Sequence, residues 1–150
     1  MTTRHISTSA CSYGALRRAM RGVGQLYDQA LAPTGINAAQ YNLLRSIEKL
    51  KAATQSELAA DLVMNLSALG HTLKPLVRDG WVLLDKDPDD GRRRLVTLTA
   101  EGRVKLREAQ QRWRPTQKRF EAVLGTEETR RLLTLLDHLA STDFSEIFLK

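Results

Sequence analysis

Residues 85–94 read DKDPDDGRRR: four aspartates within six positions, one glycine, then three consecutive arginines. Short apolar runs frame them, WVLL at 81–84 and LVTLT at 95–99. Val, Leu and Thr favour extended backbone, and Pro and Gly between them favour a turn. The stretch therefore predicts a β-hairpin with arms over 81–85 and 94–99 and a charged loop at its tip. Side chains alternate along a strand, so Val96 and Leu98 share one face and Leu95, Thr97 and Thr99 the other. Such a loop is a metal site, a solvated surface, or an arm that touches a partner.

The metal reading fails on spacing. Asp85, Asp87 and Asp89 match the first three ligand positions of a calcium loop. The sixth position should be glycine and is Asp90; the twelfth should be glutamate and is Val96. Pro88 and three arginines also oppose a cation. Enzyme chemistry finds no better support. His5, His71 and His138 are scattered, with no metal-ligand spacing among them. No G-x-S-x-G and no phosphate-cradling glycine loop is present. The expectation is no catalytic residues, no metal and no cofactor.

The rest of the chain reads as helix. Tyr13, Leu16, Met20, Val23, Tyr27 and Ala30 or Leu31 recur in steps of three and four, predicting a helix over 11–31 that buries one stripe. Pro33 and Gly35 end it. A second helix begins near Asn37 and buries Tyr41, Leu44, Ile47 and Leu50. KAAT then leads to Thr54, which forms a capping box with Glu57 and opens a short helix over 54–61. After the link LVM, Asn65 caps a fourth helix that ends at Gly80. Beyond the hairpin, TAEG starts a long helix with Leu106, Ala109, Trp113, Phe120 and Leu124 on one side and Pro115 as a kink site. A final helix starts at Thr126, capped by TEE, with Leu132, Leu133, Leu135, Leu136 and Leu139 as its apolar face.

A length of 150 residues with 42% hydrophobic composition fits one compact subunit. No run approaches the ~18 apolar residues of a membrane span. The opening MTTRHISTSACSYG has no apolar signal core, and the single cysteine, Cys11, rules out an internal disulfide. These features favour a soluble cytoplasmic protein with no membrane partner. A net charge of +6 points to an anionic partner, nucleic acid first.

Two short helices joined by a three-residue turn form a helix-turn-helix, whose second helix is shaped for a DNA major groove. An ordinary helix pair in a bundle reads the same way. The hairpin decides: a helix-turn-helix followed by an Arg-tipped β-loop is the winged arrangement, and a narrow minor groove attracts arginine. The fold class is mainly α with a small β-hairpin wing. An N-terminal dimerisation helix covers 1–35, a winged helix-turn-helix lobe 36–100, and a long helix plus a C-terminal dimerisation helix 101–150. The apolar stripes of the end helices need a partner surface. Homodimerisation is the commonest solution; completion of the monomer core is the alternative.

DKDPDDGRRRLVTLTAEGR resembles the wing of the MarR family, the multiple-antibiotic-resistance-type regulators. That family's pattern runs Asp, an acid two residues on, Asp-x-Arg, then an apolar strand ending Leu-Thr-x-x-Gly. Asp87, Asp90, Arg92, Val96, Leu98, Thr99 and Gly102 follow it in order. SELAADL, LKPLVRDGWV and LRRAMRGVGQLYDQALAPTGINAAQYNLL are also similar to family sequence, so the resemblance spans roughly residues 11–145. It implies a homodimer whose terminal helices interlock and whose recognition helices enter half-sites of a pseudo-palindromic double-stranded operator. It also implies a repressor released by a small-molecule inducer.

Within that frame Ser67, Ala68, His71 and Thr72, on the first turns of the recognition helix, are expected at base edges. Lys74 and Arg78 are expected at phosphates, as are Gln55 and Ser56 at the preceding helix N-terminus. Arg92 is expected in the minor groove, oriented by a charge-assisted hydrogen bond to Asp90. Arg93 and Arg94 are expected at phosphates or in solvent. Many relatives carry Thr and Arg where this chain has Gly70 and His71. Histidine cannot make arginine's two-pronged contact with guanine, so base preference is not inherited. Some relatives sense oxidants through a cysteine near the start of the first helix, where a helix N-terminus favours thiolate. Cys11 sits there, which makes a thiol-based redox sensor one alternative. A helical interaction protein without DNA is the other.

Overall fold

The computed structural model describes residues 11–150. His5 and the rest of MTTRHISTSA, with the first ten positions of the 1–35 segment, lie outside the described residues. Among the described residues seven helices and three strands follow in order. They are α1 (Ser12–Leu31), α2 (Ala38–Leu50), β1 (Ala53–Thr54), α3 (Gln55–Asp61), α4 (Leu66–Arg78), β2 (Val82–Lys86), β3 (Arg94–Leu98), α5 (Ala100–Leu124), α6 (Thr126–Leu139) and α7 (Thr142–Phe148). A 3-10 turn at Ala32–Thr34 closes on Gly35, whose φ of +77° suits a residue without Cβ.

Side-chain caps set most helix starts. Asn37 accepts from the Gln40 amide at 2.9 Å while Gln40 accepts from the Asn37 amide at 3.0 Å. Thr54 and Glu57 close the same reciprocal box on α3. Asn65 caps α4 through the Ala68 amide at 2.7 Å, and Thr99 caps α5 through the Gly102 amide at 2.8 Å. Each bond satisfies an amide that the helix leaves without a carbonyl partner.

The turn from α3 to α4 is a Schellman closure. Met64 N–H donates to the Ala59 carbonyl and Val63 N–H to the Ala60 carbonyl, at 2.8 and 3.2 Å. Val63 takes the left-handed position, φ +51°, that glycine usually fills.

The hairpin arms pair with Val82 opposite Leu98 and Lys86 opposite Arg94. A strand that the sequence did not predict joins them. KAAT is not a simple lead-in: β1 pairs antiparallel with β3, Ala53 opposite Val96 and Thr54 opposite Leu95, giving the sheet order β1-β3-β2. Val96 and Leu98 are buried and Leu95 and Thr97 half-buried, as alternation requires. One core gathers Leu31, Tyr41, Leu44, Ile47, Leu58, Leu69, Leu73, Leu76, Val82, Val96, Leu106 and Ala109.

The C-terminal end departs from expectation in two ways. Gly125, with φ +98°, precedes α6 in place of a Thr126 cap, and the Thr129 hydroxyl turns back to the Gly125 carbonyl at 2.8 Å. The last helix is two helices, with Ser141 capping α7. Pro115 lies inside α5, which runs on through it to Leu124. Leu133, Leu135, Leu136 and Leu139 of α6 are exposed, as are Tyr13, Leu16, Met20 and Leu26 of α1. Among the described residues no helix is long and apolar enough to cross a membrane.

Candidate nucleic-acid interface

Helix α4 has two faces. Leu69, Leu73 and Leu76 are buried, and the spacing of four and three puts them on one side. Ser67, His71, Lys74 and Arg78, in steps of four, three and four, fall on the other side and are exposed. Ala68 is exposed beside them. Thr72 is half-buried, and its hydroxyl donates to the Ala68 carbonyl at 3.1 Å, inside the helix itself. Pro75 sits within α4 without ending it.

The N-terminus of α3 meets this face. Gln55 lines an open groove of about 440 Å³ together with Gly70, Lys74, Arg78 and Leu84 of β2. Ser56 is exposed beside Gln55. The groove thus brings together three of the expected contacts, Gln55, Lys74 and Arg78, from two helices, while Ser56 and His71 are exposed outside it. Arg78 is held by its neighbour: Nε and Nη2 donate to the two Asp79 oxygens at 2.9 and 3.3 Å. That pairing holds the Asp79 carboxyl below the usual range and raises the guanidinium's own value.

The wing tip is built by its aspartates. Asp87 Oδ1 accepts from the Asp89 amide at 2.9 Å and Asp90 Oδ1 from the Arg92 amide at 3.0 Å. Backbone bonds from Asp87 N–H to the Arg93 carbonyl and from Arg93 N–H to the Asp90 carbonyl, both 2.9 Å, close the loop. Asp90 was expected to orient the Arg92 guanidinium. It binds the Arg92 backbone amide instead, because an aspartate in a tight turn reaches the amide two residues on more readily than a long side chain's end. Arg92, Arg93 and Arg94 are all exposed.

The roles of two residues at the wing escape a sequence reading. Lys86 stands directly opposite Arg94 across the strands, a like-charge pair that destabilises a sheet left to itself. The signal existed in the symmetry of the arms, but the cross-strand register fixes it. Glu57 is the other. Its Oε2 serves the α3 cap, and its Oε1 lies 3.7 Å from Arg93 Nη2 of the wing. Bonds from Thr54, then the Arg93 charge, hold this carboxyl below its usual range.

Cys11 is exposed at the N-cap of α1, and its Sγ accepts from the Gly14 amide at 3.4 Å. Among the described residues no three His, Cys, Asp or Glu side chains converge as a metal site.

A family model described as the MarR family matches residues 36–93, from the entry to α2 through the wing tip. The multiple antibiotic resistance protein MarR of Escherichia coli (strain K12) is 40% identical over 78 residues, 52% of this chain and 54% of that protein. An HTH-type transcriptional regulator of Bacillus subtilis (strain 168), YdgJ, is 30% identical over 105 residues, 70% of this chain and 64% of that one. The chain thus spans roughly half to two thirds of the length of these curated relatives. Among solved structures, the Mycobacterium tuberculosis transcriptional regulator MosR in complex with DNA is 35% identical, with a TM-score of 0.75 over 87% of this chain and 96% of that one. The repressor CouR bound to a DNA duplex shares the fold at a TM-score of 0.82 and 24% identity, over 94% of this chain and 100% of that one. A mutant of E. coli MarR complexed with operator DNA is 30% identical, with a TM-score of 0.75 over 84% of this chain and 91% of that one. Matched by the family's model across its winged lobe and aligned with MarR over nearly the whole of that chain, the protein belongs to the MarR family.

Proposed function

We propose that the chain is a sequence-specific, double-stranded-DNA-binding transcriptional regulator, acting as a homodimer on a pseudo-palindromic operator and as a repressor. One observation carries this reading: the polar stripe Ser67, His71, Lys74 and Arg78 faces out from α4, opposite the buried leucines, and its Lys74 and Arg78 share a groove with Gln55 at the α3 N-terminus. The solved structures of MosR and of the MarR mutant, each at least 30% identical to this chain, are complexes with DNA.

In this reading Ser67, Ala68 and His71 reach base edges in the major groove, with Thr72 at the margin. Lys74, Arg78, Gln55, Ser56 and Arg94 hold phosphates, and Arg92 enters the minor groove. Lys86 joins Arg94 at the backbone, where an interposed phosphate relieves their mutual repulsion. The exposed stripes of α1, α6 and α7 form the dimer contact. A cytoplasmic location and a small-molecule inducer complete the model. A compound that lowers operator affinity while raising the melting temperature supports the inducer.

Arg92→Ala tests the DNA reading. On a duplex recovered by the wild-type protein from a randomised pool, the variant is expected to lose roughly 1–3 kcal/mol of binding. An unchanged gel-shift midpoint removes the minor-groove role, and binding that does not weaken with salt removes the DNA reading in favour of a helical interaction protein. The exposed thiol of Cys11 at a helix cap favours a second reading, redox-controlled release. Equal DNA release from wild type and Cys11→Ser under peroxide eliminates it.

A further inference from the structure

Glu57 is the one residue of the helix-turn-helix that forms an ion pair with the wing among the described residues. Its carboxylate is divided between two tasks. Oε2 accepts from Thr54 N–H at 2.7 Å and from Thr54 Oγ1 at 2.9 Å, which fixes the group at the head of α3. Oε1 is left to face Arg93 Nη2 at 3.7 Å. Arg93 in turn closes the wing loop through both its backbone groups, to Asp87 N–H and to the Asp90 carbonyl. Arg92 and Arg94 form no ion pair among the described residues. The three consecutive arginines therefore divide into a restrained one and two free ones.

We infer that Glu57 and Arg93 form a latch that sets the wing against α3, so that Arg93 is a positioning residue of the DNA interface and not a phosphate contact. This rests on the DNA-binding reading above. A hairpin of two five-residue arms joined by a seven-residue tip is otherwise tied to the lobe only through its strands. Its tip needs a fixed angle to α4 for the wing to engage DNA while α4 occupies the major groove. The cap makes Glu57 a firm anchor, since the carboxylate cannot swing away without opening the α3 N-terminus. Asp87 lies near enough to oppose the Glu57 charge, so Arg93 also screens two carboxylates from approaching phosphates.

Glu57→Gln isolates the latch. Glutamine at this position keeps the capping box and removes only the charge, so the melting temperature should hardly move. In the free protein, backbone amide relaxation of residues 87–93 should show a more mobile wing in Glu57→Gln than in wild type. On the recovered duplex, Glu57→Gln and Arg93→Gln should each weaken binding roughly two- to five-fold, the range of an exposed pair. The double variant should be no weaker than either single one, and Arg93→Lys should restore binding. The slope of log affinity against log salt should stay unchanged in Arg93→Gln and drop by about 0.9 per subunit in Arg92→Gln. Tighter binding by Glu57→Gln, a salt slope in Arg93→Gln that drops as in Arg92→Gln, or an unaltered wing in the relaxation data overturns the latch. If wild type recovers no sequence, the DNA reading fails, while the relaxation measurement still decides the latch.

Discussion

Gly102 shows how one residue joins two elements. A Cβ built there overlaps the carbonyl oxygen of Trp81, because α5 starts directly against the loop between α4 and β2. Thr99 ties the same junction: its N–H donates to the Trp81 carbonyl at 3.1 Å and its hydroxyl to the Gly80 carbonyl at 2.7 Å. The obstacle is backbone and cannot rotate away. Gly102→Ala is therefore expected to cost about 3 kcal/mol, read as a lower urea midpoint. The motif Leu-Thr-x-x-Gly was legible in the sequence; the reason for its glycine is a contact with a residue 21 positions earlier and was not. Val63 makes the opposite case. A left-handed residue costs roughly 1–2 kcal/mol with an L side chain, and glycine loses under 1 kcal/mol through its extra freedom when unfolded. Val63→Gly should therefore raise stability by about 1 kcal/mol in the same assay. A destabilised variant means that the exposed valine side chain has a contact worth more than its strain.

At the level of elements, legibility follows the range of the interactions. Asn37, Thr54, Asn65 and Thr99 were readable as caps or helix starts because a cap closes within three or four residues. Strand β1 was not, since two residues carry no periodicity and Ala53 becomes a strand only by pairing with Val96. Lys86 belongs with β1, being defined by its partner Arg94. Removing one member of that like-charge pair should separate stability from function. Lys86→Thr is expected to stabilise the free protein by about 0.2–1 kcal/mol, yet weaken DNA binding and lower the salt slope by about 0.9 per subunit. Gains in both would show that Lys86 has no part in binding. Helix α3 has a separate acid sensitivity. Asp61 takes bonds from Lys49 at 2.7 Å and Ser46 at 2.5 Å, which hold its carboxyl below the ordinary 3.8. A carboxyl depressed in the fold adds stability above its unfolded value and loses it as pH falls through the folded one. The stability advantage of wild type over Asp61→Asn should therefore be full above about pH 5 and shrink below it. Urea midpoints taken across that range test this, and an advantage constant with pH rejects the tie as a charged one.

At the scale of the whole molecule, the described residues leave apolar surface uncovered on α1 and toward the C-terminal helices. Tyr13, at 67% exposure, with Leu16 and Met20 on α1, and Ile147 and Phe148 on α7 with Leu149 just beyond it, lie outside the core. The 3.6-residue periodicity of α1 was plain in the sequence, but periodicity shows that a stripe is buried without saying by what. The fold divides the stripe: Leu31 is in the core and Tyr27 donates to Gln117 of α5 at 2.7 Å, while the first two thirds of the helix stand free. Among the described residues, nothing of the monomer core covers these positions. Apolar patches of this kind mark an interface, and DNA geometry gives it a purpose. On the proposed operator one α4 would fill one half-site, and two half-sites about 34 Å apart would need two copies held at a fixed distance. Joining two weak contacts raises affinity by roughly 10²–10⁴ without any new contact to DNA. Leu133→Asp combined with Leu136→Asp changes two side chains that are 50% and 39% exposed in the subunit, so its helix content should persist. In a dimer they place four desolvated carboxylates in one apolar contact. The expected result is a monomer by sedimentation velocity with an unchanged circular dichroism spectrum and an operator affinity at least about 100-fold lower. A wild type that sediments as a monomer, or a variant that remains dimeric and binds normally, would move the interface away from α6. A monomeric variant with full affinity would mean that one recognition helix and one wing suffice, and the argument from paired half-sites would fail with it.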